Sequence, residues 1–122
     1  MAQSKRISPP YSQIIIVDLK GRIKVPAWRK DVPVLATDTC IAVMCLAQID
    51  GDTDVTLGKA SEVDPGSDPI FEGALKTPSY MIAVETAERN GVLSMPTSHQ
   101  ETHVRIWTNR RKEPDKVIIG VD

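Results

Sequence analysis

Apolar positions in this chain come in short bursts and strict alternations, with no long helical stripe. Residues 12–19 contain Ile14-Ile15-Ile16-Val17, apolar on both faces, which predicts a well-buried strand. Lys20-Gly21 marks a turn, and residues 22–25 alternate as a short return strand. Residues 26–33 form a proline-bounded loop carrying Trp28. Residues 39–49 are the strongest strand, closed by the turn signal Asp50-Gly51-Asp52. Residues 54–59 alternate Val55 and Leu57 with polar neighbours. Residues 61–69 are rich in turn formers and predict the longest loop. A short strand is expected at 70–75. A strand at 80–88 would put Tyr80, Ile82, Val84 and Thr86 on one face. A helix over 80–89, capped by Gly91, is the rival there. Asn90-Gly91 suits a hairpin, since both residues tolerate φ > 0. Residues 102–108 place Thr102, Val104, Ile106 and Thr108 opposite His103, Arg105 and Trp107, and residues 116–121 close the domain.

Composition supports strands. The 122 residues include 12 Val, 12 Ile and 9 Thr against 6 Leu. Branching at Cβ restricts χ1, which suits a pleated surface better than a helix. Nine prolines block helix interiors and central ladder positions, so the pieces are short. The expected fold class is all-β: a single-domain antiparallel β-sandwich over residues 12–122, after a mobile polar lead-in at residues 1–11. No apolar run approaches the roughly 20 residues of a membrane span, and no apolar leader segment is visible at the N-terminus.

Cys40 and Cys45 lie five apart in one expected strand. They face opposite sides, roughly 16 Å apart at strand rise, beyond the roughly 7 Å reach of a disulfide. Two unpaired thiols fit a reducing compartment, so the expected location is cytoplasmic.

Familiar chemistry is missing. His99 and His103 have Glu101 between them, whereas the zinc-protease pattern places Glu directly after the first His on a helix. On a strand the two would stand about 13 Å apart, too far to share an ion. Gly51 to Lys59 has six residues between its glycines and Ala60 after the lysine, so it is not a phosphate loop. No Gly-x-Ser-x-Gly elbow occurs. No catalytic residue, metal ligand or cofactor is therefore assigned. Asp50, Asp52 and Asp54 alternate as some calcium ligands do, but Val55 and Ser61 stand where an EF-hand needs Gly and Glu.

The net charge of −1 conceals an asymmetry. Residues 50–72 carry seven acids and one lysine, a local charge of −6. Such a patch steers a basic partner and speeds association. Asp50, Asp52, Asp54, Asp64 and Asp68 are the candidate partner-binding carboxylates. Trp28, between Ala27 and Arg29-Lys30, is the candidate aromatic anchor, while Trp107 reads as core. Arg110-Arg111-Lys112 is a turn before the last strand, and Glu113 and Asp115 make it a poor nucleic-acid site.

Tyr11-Ser12-Gln13 opens an apolar strand, Asn90-Gly91 joins two alternating strands, and Trp107-Thr108 lies near the end of the penultimate strand. In this order they resemble the competence protein J family, bacterial inhibitors of a nuclease that acts during DNA uptake. The loops at 26–33 and 61–69 fall outside the resemblance, and no inhibitory residue carries over from it. The resemblance implies a small, β-rich cytoplasmic inhibitor or immunity-like protein. An acidic loop that mimics phosphate would suit a nuclease, whose DNA-gripping surface is basic. The expected function is non-enzymatic binding of another protein with a basic surface, such as a nuclease, without direct nucleic-acid contact and with homo-oligomerisation left open. A calcium-dependent sandwich binding ligand or membrane at the same loops is the second reading. A small enzyme with loop-borne Asp and His residues is the third.

Overall fold

The branched residues do form strands. A computed structural model describes residues 2–122 and shows β1 (Gln3–Ile7), β2 (Gln13–Asp18), β3 (Val34–Ala36), β4 (Cys40–Met44), β5 (Thr53–Lys59), β6 (Phe71–Lys76), β7 (Met81–Thr86), β8 (Gly91–Pro96), β9 (Glu101–Thr108) and β10 (Lys116–Val121), with one helical turn, α1 (Ala60–Val63). The first sheet runs β1-β5-β10-β9-β6 and the second β3-β4-β2-β7-β8. Every pair is antiparallel except β5–β10, which is parallel, with Val117 opposite Val55 and Ile119 opposite Leu57. The fold is the expected all-β sandwich with one parallel pair inside it.

The core lies between the sheets. Ile14, Ile16, Ile41, Val43, Ile82 and Val84 from the second sheet meet Val55, Leu57, Leu75, Val104, Ile106, Val117 and Ile119 from the first. Each buried side chain of this size contributes about 1.5–3 kcal/mol. The second sheet is also apolar outside, where Ile15, Val17, Cys40, Ala42 and Ala83 pack beneath Ile23 and Met44. This explains why Ile14 to Val17 shows no alternation. Cys40 and Cys45 are buried on opposite faces and are free thiols.

Of the segment expected at 80–88, Met81–Thr86 form strand β7, with Ile82 and Val84 in the core, so the helix rival is excluded. Tyr80 stands outside that strand at φ 60°. Residues 22–25 form no return strand. The Lys24 N–H donates instead to Thr39 Oγ1 at 2.8 Å, and Thr37 Oγ1 donates to the Lys24 carbonyl at 2.5 Å. These bonds hold the loop so that Ile23 covers the second sheet's apolar outer face. The strong strand ends at Met44, and Gln48–Asp50 form a 3-10 turn.

Residues 3–7, expected to lie in a lead-in outside the sandwich, form edge strand β1. Met1 lies outside the described residues. Cross-strand polar pairs align β1 on β5: Ser4 Oγ with Thr56 Oγ1 at 2.9 Å, and Arg6 Nε donating to Asp54 Oδ1 at 2.8 Å. Gln3 Nε2 reaches across to the Ser94 carbonyl of the other sheet at 2.7 Å. Among the described residues, no helix is long and apolar enough to cross a membrane.

Candidate functional site

The strands gather their loops at two ends. At one end meet the segment before β2, the segment between β4 and β5, the β9–β10 loop and the loop before β3. Main-chain bonds join them: the Cys45 N–H donates to the Ser12 carbonyl at 2.7 Å, the Leu46 N–H to Pro114 at 2.9 Å, and the Met44 N–H to Pro33 at 3.0 Å. We call this the Trp28 end.

Three large apolar side chains are exposed there: Trp28 at 70%, Tyr11 at 75% and Ile49 at 90%. Residues that large and that wet stand out in a domain with five aromatics. The backbone there is strained as well. Tyr11, Ser12, Asp31, Arg89 and Glu113 hold φ between 49° and 67°, five of the six such non-glycine residues among those described. Each costs on the order of 1–3 kcal/mol when the surroundings enforce it, and such residues cluster at functional surfaces.

The predicted carboxylates divide. Asp50 ends the 3-10 turn beside Ile49, and Asp52 and Asp54 follow into β5. They are not all free. The Ser8 hydroxyl donates to Asp52, and Arg6 pairs with Asp54 at 2.8 Å. The Arg6 hydrogen bond holds the Asp54 carboxyl below its ordinary range, with a smaller contribution from Lys116. Asp64 and Asp68 lie elsewhere. Asp64 follows α1 beyond the far end of β5, and its Oδ1 accepts the Gly66 N–H at 2.7 Å. The loop then crosses the outer face of the first sheet, where Trp107 Nε1 donates to the Ser67 carbonyl at 2.9 Å. Trp107 is buried there against the glycine flank of β10: a Cβ on Gly120 would stand 2.9 Å from its ring.

Trp28 does not join the carboxylates. It lines a pocket of about 420 Å³ with Arg29, Met44, Arg111 and Lys112, and with Asp31 and Glu113 on its walls. The sequence marked Trp28 but held no sign that Arg111 and Lys112 line the same pocket, since they lie far along the chain from it. Tyr11 and Ile49 were missed too. The available signal was an apolar residue directly beside a turn former, Pro10 before Tyr11 and Asp50 after Ile49.

Nucleophilic chemistry finds no support at the cysteines. Burial pushes the Cys40 thiol up to about 11 and the Cys45 thiol up to about 12. His103 Nε2 lies 3.3 Å from Glu72 Oε2 on the outer face of the first sheet, and the main-chain carbonyl of His99 accepts the Thr77 hydroxyl at 2.6 Å. No three His, Cys, Asp or Glu side chains converge on a metal position among the described residues.

No family model matches the chain, and no curated protein matches its sequence. Two solved structures share its fold. The crystal structure of ComJ from Bacillus subtilis, an inhibitor of the DNA-degrading activity of NucA, superposes with a TM-score of 0.70 over 98% of this chain and 93% of that one, at 17% identity. The protein named Crocagin biosynthetic gene J superposes with a TM-score of 0.56 over 99% of this chain and 97% of that one, at 13% identity. The resemblance carried by Tyr11-Ser12-Gln13, Asn90-Gly91 and Trp107-Thr108 is thus met by a likeness of the whole fold.

Proposed function

We propose that this chain is a non-enzymatic protein-binding module, an inhibitor or immunity-like protein of the cytoplasm, whose partner is an enzyme with a basic surface such as a nuclease. The observation that carries this reading is the Trp28 end, where Trp28, Tyr11 and Ile49 stand exposed on a strained, hydrogen-bonded frame. Binding energy at protein interfaces concentrates in a few such side chains. The fold shared with ComJ supports the choice of a nuclease. In this reading Asp50, Asp52 and Asp54 steer the partner toward the end, and Asp64 and Asp68 extend the acidic field along the flank. Nothing in the geometry favours the calcium reading over this one.

The test uses the chain as bait in an extract of its source cells, followed by a plasmid-degradation assay on the eluate. The expected result is a captured DNA-degrading activity that free chain silences at equimolar amount. Replacing Asp50, Asp52, Asp54, Asp64 and Asp68 with Asn should slow association and flatten its salt dependence, because exposed charges are screened beyond about 10 Å at 0.1 M salt. Folding stability should fall only slightly, chiefly through the lost exposed bonds of Asp52, Asp54 and Asp64. An eluate without nuclease activity, or a variant that retains every partner at unchanged rate, refutes the reading.

A further inference from the structure

The Trp28 pocket does not have the charge of the acidic loops that were expected to share its task. Arg29, Lys30, Arg111 and Lys112 outnumber Asp31 and Glu113 in and beside it. Among the described residues, the side chains of Arg29, Arg111 and Lys112 make no ion pair or hydrogen bond. Elsewhere some cations are matched, Arg6 with Asp54, Lys76 with Asp38, Arg89 with Glu85, and Arg105 with Glu72 and Asp122. Three unpartnered cations and one exposed indole line the same pocket.

We propose that this pocket docks an acidic segment of a partner protein, one that sets carboxylates beside an apolar side chain. The proposal rests on the protein-binding reading above but not on the acidic loops. The apolar side chain would lie on Trp28, Met44, Val32 and Pro33, and its carboxylates would meet Arg29, Arg111 and Lys112. Arginine offers a planar fork that grips a carboxylate through two parallel hydrogen bonds. Three features favour a peptide over a small anion or a nucleic acid. A small anion would leave the 70%-exposed indole in water, whereas an apolar side chain covers it. Asp31 and Glu113 on the walls can accept the N–H groups of a peptide backbone, donors that neither inorganic phosphate nor a phosphodiester chain offers. Trp, Arg and Met are also the residue types that protein interfaces enrich.

The test is an NMR titration of the intact chain with Gly/Ser-flanked peptides of sequence Asp-Leu-Glu and Glu-Phe-Asp. Their amidated counterparts, Asn-Leu-Gln and Gln-Phe-Asn, and inorganic phosphate are the controls. Saturable shifts are expected at the Trp28 indole and at the amides of Arg29, Arg111 and Lys112. The amidated peptides should bind about tenfold more weakly or worse, and Trp28→Ala and the Arg111→Ala/Lys112→Ala pair should abolish the shifts. No saturable shift at millimolar acidic peptide overturns the proposal. So does equal binding of the amidated peptides, or phosphate alone reproducing the indole shift. The peptide comparison uses the unaltered chain and does not depend on any variant folding. Because no nuclease takes part, its failure leaves the inhibitor reading standing, and failure of the capture assay leaves the peptide result intact.

Discussion

The two ends of the sandwich are built from the same strands but use their polar residues differently. Opposite the Trp28 end, side chains turn inward and tie the loops together. Thr77 Oγ1 donates to the His99 carbonyl at 2.6 Å and lies 2.8 Å from Thr102 Oγ1. Asp18 Oδ1 accepts both the Ser79 N–H at 3.0 Å and its hydroxyl at 2.7 Å. Thr77, Thr102 and Asp18 are all buried. At the Trp28 end main-chain bonds join the loops, exposed side chains such as Asn109 and Asp115 bond to one another at 2.7 Å, and Trp28, Tyr11 and Ile49 stand in water. One end is closed by buried side-chain hydrogen bonds; at the other, the large apolar side chains stay exposed. That contrast separates residues that keep the fold from exposed residues proposed above to meet a partner.

The comparison predicts a clean split under mutation. The largest effect is expected for Trp28→Ala combined with Ile49→Ala. Affinity for the captured partner should fall at least about thirtyfold, as for two hot-spot truncations of roughly 1 kcal/mol or more each, while the urea midpoint stays put. An unfolding midpoint that falls with affinity would mean that the Trp28 end also holds the fold together. Next, Thr77→Val and Asp18→Ala should each cost about 1–3 kcal/mol in urea unfolding, because each strips a buried hydrogen-bond network. Binding measured by calorimetry at equal folded concentration should not change. A loss of affinity there would join the two ends into one functional unit.

A smaller effect tests the thiols, which sit one near each end. Their folded values of about 11 and 12 lie above the usual 9.0. A raised folded value contributes stability that is fully present below the unfolded value and is lost as pH rises through the folded one. Stability should therefore decline from about pH 9 upward, and Cys45→Ala should flatten that decline. At pH 8 iodoacetamide should label neither thiol until urea opens the chain. The smallest effect belongs to the surface pairs, again one at each end. The Arg6 hydrogen bond holds Asp54 below its ordinary range, and the Lys76 hydrogen bond does the same for Asp38. A lowered carboxylate contributes stability above its unfolded value and loses it as pH falls through the folded one. Both pairs are solvent-exposed, so salt should erase their contribution. Acid titration with and without 0.5 M salt, roughly enough to screen exposed pairs, checks this, and an acid midpoint that salt does not move would place the cause in buried groups.

What the sequence made legible follows from what each strand faces. The runs at Ile14 to Val17 and Ile41 to Met44 and the alternations at Val55, Ile82 and Val104 each face an apolar layer, so the burial was written in the residues. Strand β1 has no such layer. Its Ser4 and Arg6 answer Thr56 and Asp54 across the strand, and pairs of that kind leave no local pattern. Strand β3 has three residues, too few for a period to show. Ile23 misled because it is apolar for a different reason: it roofs the second sheet instead of pairing in it. At the site, Trp28's exposure was readable from its proline-bounded polar loop. Its cationic neighbours were not, since Arg111 reaches it only when the β9–β10 loop meets the loop before β3. Asp54 read as a free acid because Arg6, its partner, lies 48 positions earlier.

The single parallel pair has a consequence for how the chain is made. Strand β10 lies at the centre of the first sheet, between β5 and β9, yet of that sheet's five strands it is the last to leave the ribosome. Until residues 116–121 emerge, β1 and β5 are separated from β9 and β6, and the apolar face of the second sheet lacks half its cover. Assembly of the first sheet therefore waits on the last of its strands. Ladders between strands this far apart in sequence form slowly, and the waiting edges of β5 and β9 are open to neighbouring chains. A holding chaperone, or synthesis at low local concentration, should raise its yield.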